Sequence, residues 1–163
     1  MVTVGRFLAG IAALVWRPAD GRYLLLQRSA AKDYGAGFWE CVTGRVDQGE
    51  SFVEALHREV REELGERARV QLDFVVGTTH FYRGPADPLN ELLGVVFACS
   101  LLSEQVVCTS SEHSAHRWLS AGEVLEFVPA DYWLHRAVRR AEAIRALATS
   151  DLLGFIQKEG LEI

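Results

Sequence analysis

The stretch from Gly44 to Glu66 constrains this chain more than any other: it must be a loop feeding one short helix that carries acids on the edge of its buried face. Ser51 and Glu54 stand at the spacing of a capping box, which satisfies orphan N–H groups at a helix start and is worth ~1 kcal/mol. Val53, Leu56, Val60 and Leu64 recur at helical spacing and predict the apolar stripe, and Gly65 is the expected stop. On a wheel of about 100° per residue, Glu59, Glu62 and Glu63 fall within about 100° of one another. They lie beside the stripe rather than opposite it, which is the lip of a cleft and not the middle of a solvated face.

Clustering acids in this way has a cost. Glu59 and Glu63, one turn apart, repel by roughly 0.2–0.5 kcal/mol. Arg58 is the nearest compensation, reaching Glu54 or Glu62. A divalent cation relieves the repulsion fully, and oxygen-only ligands select a hard ion such as Mg²⁺, which uses a few carboxylates together with waters and substrate phosphates.

The rest of the chain supplies strands around this helix. Two apolar runs, Phe7 to Trp16 and Tyr23 to Gln27, flank a Pro18-Ala19-Asp20-Gly21 turn and read as strand, turn, strand. A glycine-containing loop from Ala31 to Gly37 leads to a short run from Phe38 to Thr43. Strands are expected at about 70–82, 92–102 and 115–119, and Pro129 with Asp131 announces a helix to about Ala148. The arginines Arg136, Arg139, Arg140 and Arg145 on that helix read as a solvated face. The segment from Asp151 to Ile163 can pack on the chain's own core or on a partner. Mixed strands with interleaved helices predict an α/β or α+β sandwich, with strand order left open.

Bulk properties exclude several classes. The 163 residues fit one domain with a real core. A net charge of −5 lacks the basic footprint of nonspecific nucleic-acid binding, yet permits a phosphate substrate when cations are bound. The apolar run after Arg6 is shorter than the ~20 residues that span a bilayer, so neither a membrane nor a targeting role is expected. Cys41, Cys99 and Cys108 have no zinc spacing and read as packed thiols in a reducing, cytoplasmic setting.

Gly44, five residues, Glu50, seven residues, then Arg58-Glu59-Val60-Arg61-Glu62-Glu63-Leu64-Gly65 resembles the box of the Nudix hydrolases, with every fixed position filled. The one departure is Glu66, where the box normally has an aliphatic residue; the loss concerns packing over the helix end and not the acids. The resemblance covers about residues 5–127. It implies an α/β/α sandwich with a mixed central sheet, here expected as a single domain over 1–163 with the C-terminal helices included. It also implies Mg²⁺- or Mn²⁺-dependent hydrolysis of a small nucleotide-like substrate, and many relatives form homodimers.

Carried over by position, Glu59, Glu62 and Glu63 would be metal ligands, joined by the Gly44 carbonyl, with Arg58 and Glu50 holding the carboxylates. A second acid outside the box is expected, and Glu112, preceding a tryptophan-bearing strand, is the candidate for ligand or general base. His113 and His116 read as surface or hydrogen-bonding histidines. Arg28 resembles the arginine aimed at substrate phosphates, and Trp39 and Tyr82 are candidates to stack on a base.

The runs Phe38 to Gly44 and Thr109 to Leu119 are similar to bacterial dihydroneopterin triphosphate and dATP pyrophosphohydrolases, which implies release of a nucleoside monophosphate and pyrophosphate. The rival is dinucleoside polyphosphate hydrolysis, to which Tyr82, sixteen residues past Glu66, would point. A noncatalytic nucleotide sensor is disfavoured because no box carboxylate is lost. A Nudix-fold isoprenoid isomerase is disfavoured because its cysteine motif is only faintly evoked by Cys41.

Overall fold

The computed structural model describes residues 5–31, 35–102 and 110–162. The elements in chain order are β1 (Leu8–Arg17), β2 (Arg22–Arg28), β3 (Trp39–Glu40), β4 (Val42–Arg45), α1 (Phe52–Leu64), β5 (Val70–Tyr82), β6 (Glu91–Leu101) and β7 (His113–Ser120), followed by α2 (Ala121–Phe127), α3 (Trp133–Leu147) and α4 (Ser150–Glu159). A single 3₁₀ turn, Pro88–Asn90, precedes β6.

One mixed sheet carries them all, with β3-β2-β1-β6-β5 in order, β4 also on β1 and β7 also on β2. The β1–β6 pair is parallel and the others are antiparallel. Strand β1 lies between neighbours and under helices on both sides. That is why it reads as an unbroken apolar run, as parallel strands covered on both faces do.

Period-two alternation divides the core into two layers. Ile11, Ala13, Val15, Leu24, Leu26, Phe97 and Cys99 face α1, meeting Ala55, Leu56, Val60 and Leu64. Ala12, Leu14, Tyr23, Leu25, Phe74, Val96 and Ala98 face the other way, meeting Val124 of α2 and Leu134, Ala137, Val138 and Ala141 of α3. The result is an α/β/α sandwich. Cys41 and Cys99 are free, buried thiols on opposite faces of the sheet, and burial pushes both well above the usual thiol range. Cys108 lies outside the described residues, as do Thr109 and residues 32–34 of the loop before β3.

Several expectations need correction. Val53 is only half-buried and Ala55 takes its place in the buried stripe, because the helix leans on the sheet with the face centred nearer Ala55 and Leu56. Arg145 is no solvated arginine: its guanidinium lies 4.4 Å from the centre of the Trp16 ring and bridges to buried Asp73, whereas Arg136, Arg139 and Arg140 are exposed as read. Helix α2 is an element beyond those the sequence pattern predicts. Glu66 is exposed, and Ala68 supplies packing beyond the helix end. The C-terminal segment forms α4, with Leu153 against the α3-side core. Beyond it Leu161 crosses to the α1-side core, and the Glu162 carboxylate accepts the Phe52 N–H at 2.6 Å.

Candidate functional site

Helix α1 is punctuated as its sequence demands. Ser51 accepts from the Glu54 N–H while the Glu54 carboxylate accepts from the Ser51 N–H. Gly65 closes the helix at φ 101°, a conformation that favours glycine, with its N–H donating to the Arg61 carbonyl.

Along one edge the acids are graded in depth. Glu63 is 4% exposed, the Glu59 side chain 13% and the Glu62 side chain 57%. Glu59 folds back over Gly44, where an added Cβ would collide with its Cγ, Cδ and Oε1. The glycine of the box is therefore required by a carboxylate lying on its Cα.

Arg58 organises the outer part. Its Nε and Nη2 grip the Glu50 oxygens at 2.7 and 2.9 Å. Nη1 reaches Glu59 at 2.8 Å and Glu62 at 3.3 Å, and Nη2 also donates to the Arg45 carbonyl at 2.8 Å. This corrects the expected reach to Glu54, whose carboxylate is committed to the capping box. The guanidinium holds Glu50 down at about 2, so this clamp stays charged well into acid. Burial pushes Glu59 up, against the pull of Arg58.

The inner part is more unusual. Burial first, then the charges of Glu40 and Glu59, push Glu63 well above the usual carboxylate range. Its Oε2 is buried with no hydrogen-bond partner. A buried, unpartnered carboxylate oxygen is costly and invites a cation. Next to it stands a residue that sequence reasoning passed over. Glu40, buried, takes both its oxygens to Arg28 Nη1 at 2.9 and 3.1 Å, accepts the Thr43 hydroxyl at 3.1 Å and meets His113 Nε2 at 3.3 Å. His113 is itself buried, with Nε2 3.9 Å from Glu63 Oε2.

Register explains how these residues converge. Leu26 pairs with Glu40 and Arg28 with His113, with a bulge at Gln27/Arg28. Leu26 faces α1, so Arg28 and Glu40 do too. Counting back from Trp118 through His116, plain alternation would put Ser114 opposite Arg28; the bulge puts His113 there instead.

Glu112 sits on an exposed turn, and its charge contributes to the upward displacement of both Glu59 and Glu63. The turn is tied down on two sides: Ser29 N–H donates to the Glu112 carbonyl at 2.8 Å, and Ser110 N–H to the Glu63 carbonyl at 3.0 Å. Trp39 finds its ring partners elsewhere, edge-on to Phe127 at 5.2 Å and beneath Arg117. Tyr82 ends β5 opposite Glu91, with its ring 5.8 Å from that of His80. His116 is exposed. Glu50, Arg58, Glu59, Glu62, Glu63, Gly44 and Glu112 thus form one cluster, with Arg28 beside it through Glu40.

Among the described residues, no three acid, histidine or cysteine side chains already converge into a metal cage; Arg58 holds Glu59 and Glu62 in the outer part. The donor set nonetheless fits a hard divalent ion: carboxylate oxygens, two of the acids largely buried, one oxygen without a partner. Among the described residues no helix is long and apolar enough to cross a membrane.

Residues 6–140 match the model of the NUDIX domain. The CTP pyrophosphohydrolase of Escherichia coli (strain K12) is 36% identical over 137 residues, which covers 83% of this chain and 93% of that protein. An octanoyltransferase of Myxococcus xanthus is 34% identical over 134 residues, 82% of this chain but only 36% of that protein. Among solved structures, the E. coli dihydroneopterin triphosphate pyrophosphohydrolase superposes with a TM-score of 0.61 at 25% identity, covering 81% of this chain and 92% of its own.

Proposed function

The chain belongs to the Nudix family of pyrophosphohydrolases, and from that premise we propose that it cleaves a nucleoside triphosphate or close derivative to a nucleoside monophosphate and pyrophosphate, with Mg²⁺ or Mn²⁺ bound at the acidic edge of α1. The observation that carries this reading is the pair Glu59 and Glu63: two largely buried, mutually repelling carboxylates, one pressed onto a glycine and one with an unpartnered oxygen. The named activities of the E. coli relatives, on CTP and on dihydroneopterin triphosphate, support a triphosphate substrate.

In this reading Glu59, Glu62 and Glu63 would hold the ion, with the Gly44 carbonyl as a further oxygen donor. When bound, a divalent ion neutralises charge developing on the diphosphate oxygens and lowers the pKa of water. Arg58 keeps Glu50, Glu59 and Glu62 aimed, so that no acid swings away before substrate arrives. Glu112, exposed on its turn and facing the cluster, accepts the proton of the attacking water as the water's oxygen bonds to phosphorus and the bridging P–O bond breaks. Arg28 is steadied by Glu40 at the inner end of the cluster, where its charge favours phosphate.

Pyrophosphate release over a panel of nucleoside triphosphates, dihydroneopterin triphosphate and dinucleoside polyphosphates, with Mg²⁺ and with EDTA, tests this. Turnover of a triphosphate that vanishes in EDTA and returns with Mg²⁺ or Mn²⁺ is expected. Undiminished turnover in EDTA would remove the proposed chemistry, and turnover confined to dinucleoside polyphosphates would reassign the substrate.

A further inference from the structure

Two residues outside the box, His113 and Glu40, stand at its deepest acid, Glu63, and the reading above gives them no role beyond the bracing of Arg28 by Glu40. His113 is almost fully enclosed and stands between Glu40 at 3.3 Å and the unpartnered Oε2 of Glu63 at 3.9 Å. Glu40 already accepts from Arg28 and Thr43, so the ring nitrogen that faces it at 3.3 Å, Nε2, is assigned as the one that donates. Glu40 cannot drift, because Arg28 and Thr43 fix both its oxygens. The imidazole is therefore oriented from behind by a braced carboxylate and presents its N–H edge to Glu63. Its own backbone N–H donates to the Ser110 carbonyl at 3.1 Å, and the Ser110 N–H in turn donates to the Glu63 carbonyl, so the residue that carries the buried ring also closes the turn that bears Glu112.

We propose that His113, braced by Glu40, is a positioning residue that fixes the direction of the Glu63 carboxylate and the seat of the Glu112 turn. The inference rests on the reading of Glu63 as a metal ligand. Groups that orient ligands from behind typically change metal affinity by about 10–100-fold when removed. The arrangement also accounts for the bulge in β2–β7, which is what turns His113, rather than Ser114, toward α1.

The test compares His113→Leu, which keeps bulk and loses the N–H, with His113→Gln, which restores a donor at similar reach, and with Glu40→Gln. Mn²⁺ affinity of the substrate-free protein, followed by electron paramagnetic resonance, is read beside kcat, KM and Tm. His113→Leu should weaken Mn²⁺ binding about 10-fold or more and lower kcat more than it raises KM, at a Tm close to wild type. His113→Gln should recover most of both. Glu40→Gln should weaken Mn²⁺ binding in the same sense, and adding it to His113→Leu should change little further, since the two act as one unit. Wild-type Mn²⁺ binding in His113→Leu would overturn the inference alone. So would equal losses in the Leu and Gln variants that follow a fall in Tm, since that is the mark of packing. Absence of Mn²⁺ binding by wild type, or full binding by Glu63→Gln, would sink the metal reading and this inference with it.

Discussion

At the scale of single residues, function and stability oppose each other at Glu63. Burial holds its pKa above the ordinary carboxylate value, so the folded chain favours the protonated form. Stability from this group is present at acid pH and is lost as pH rises from the unfolded value towards the raised folded one. Metal-free Glu63→Gln should therefore be more stable than wild type at neutral pH by about 1–3 kcal/mol and melt higher, with the gap closing as pH falls below the ordinary carboxylate range. Thermal melts across pH in EDTA read this. The same variant should lose at least ~10²-fold in turnover, as should Glu59→Gln, while Glu54→Gln, committed to the capping box, should stay near wild type in turnover.

Gly44 gives a sharper case. The nearest atoms a Cβ there would meet are Cγ, Cδ and Oε1 of Glu59, a flexible side chain that can shift on its own helix, so Gly44→Ala should fold with a Tm within a few degrees of wild type. Its activity should fall by about 10²-fold, because an ångström of misplacement at a catalytic group costs that much. A large loss of Tm with proportionate loss of activity would mean that the glycine serves the fold instead.

Among elements, helix α1 was legible in sequence down to its capping box and its stop, because caps, period and glycine all act within one short segment. Ser51→Ala should lower stability by about 1 kcal/mol, roughly 2–4 °C in Tm, and leave kcat close to wild type, since the acids lie a turn or more away. A differential-scanning melt beside a turnover assay decides it. Helix α2 carried the same signature, Ser120 followed by Glu123, yet it is only 7 residues long and offers too few turns for a period to show. The acids of the box, Arg58 and Glu112 were legible by position. Glu40 offered only a single signal, one charge in the otherwise apolar run from Phe38 to Val42, and its partners come from β2 and β7. His113 was legible only as a surface or hydrogen-bonding histidine; its burial against Glu40 was not, because alternation from Trp118 points to Ser114 and only the bulge reverses it.

For the whole molecule, the α/β/α layering follows from apolar patterning, but strand order does not, because a continuous apolar run such as 11–15 does not say which strands flank it. Nor does sequence tell which layer each helix joins: α1 takes one face, α2 and α3 the other, and the chain returns at Leu161 and Glu162 to the face it left. The parallel seam between β1 and β6, with Leu8 beside Leu92 and Trp16 beside Ser100, makes the order of events in time matter. Helix α1 and all its acids are synthesised before the residues of β6 exist, so for an interval the helix has only half a floor beneath it. Joining ends so far apart in sequence is slow, typically milliseconds to seconds for pairings of this kind. Stopped-flow refolding should therefore show helical signal ahead of catalytic competence, and hydrolysis should return only when Phe97 and Cys99 slide under Val60 and Leu64.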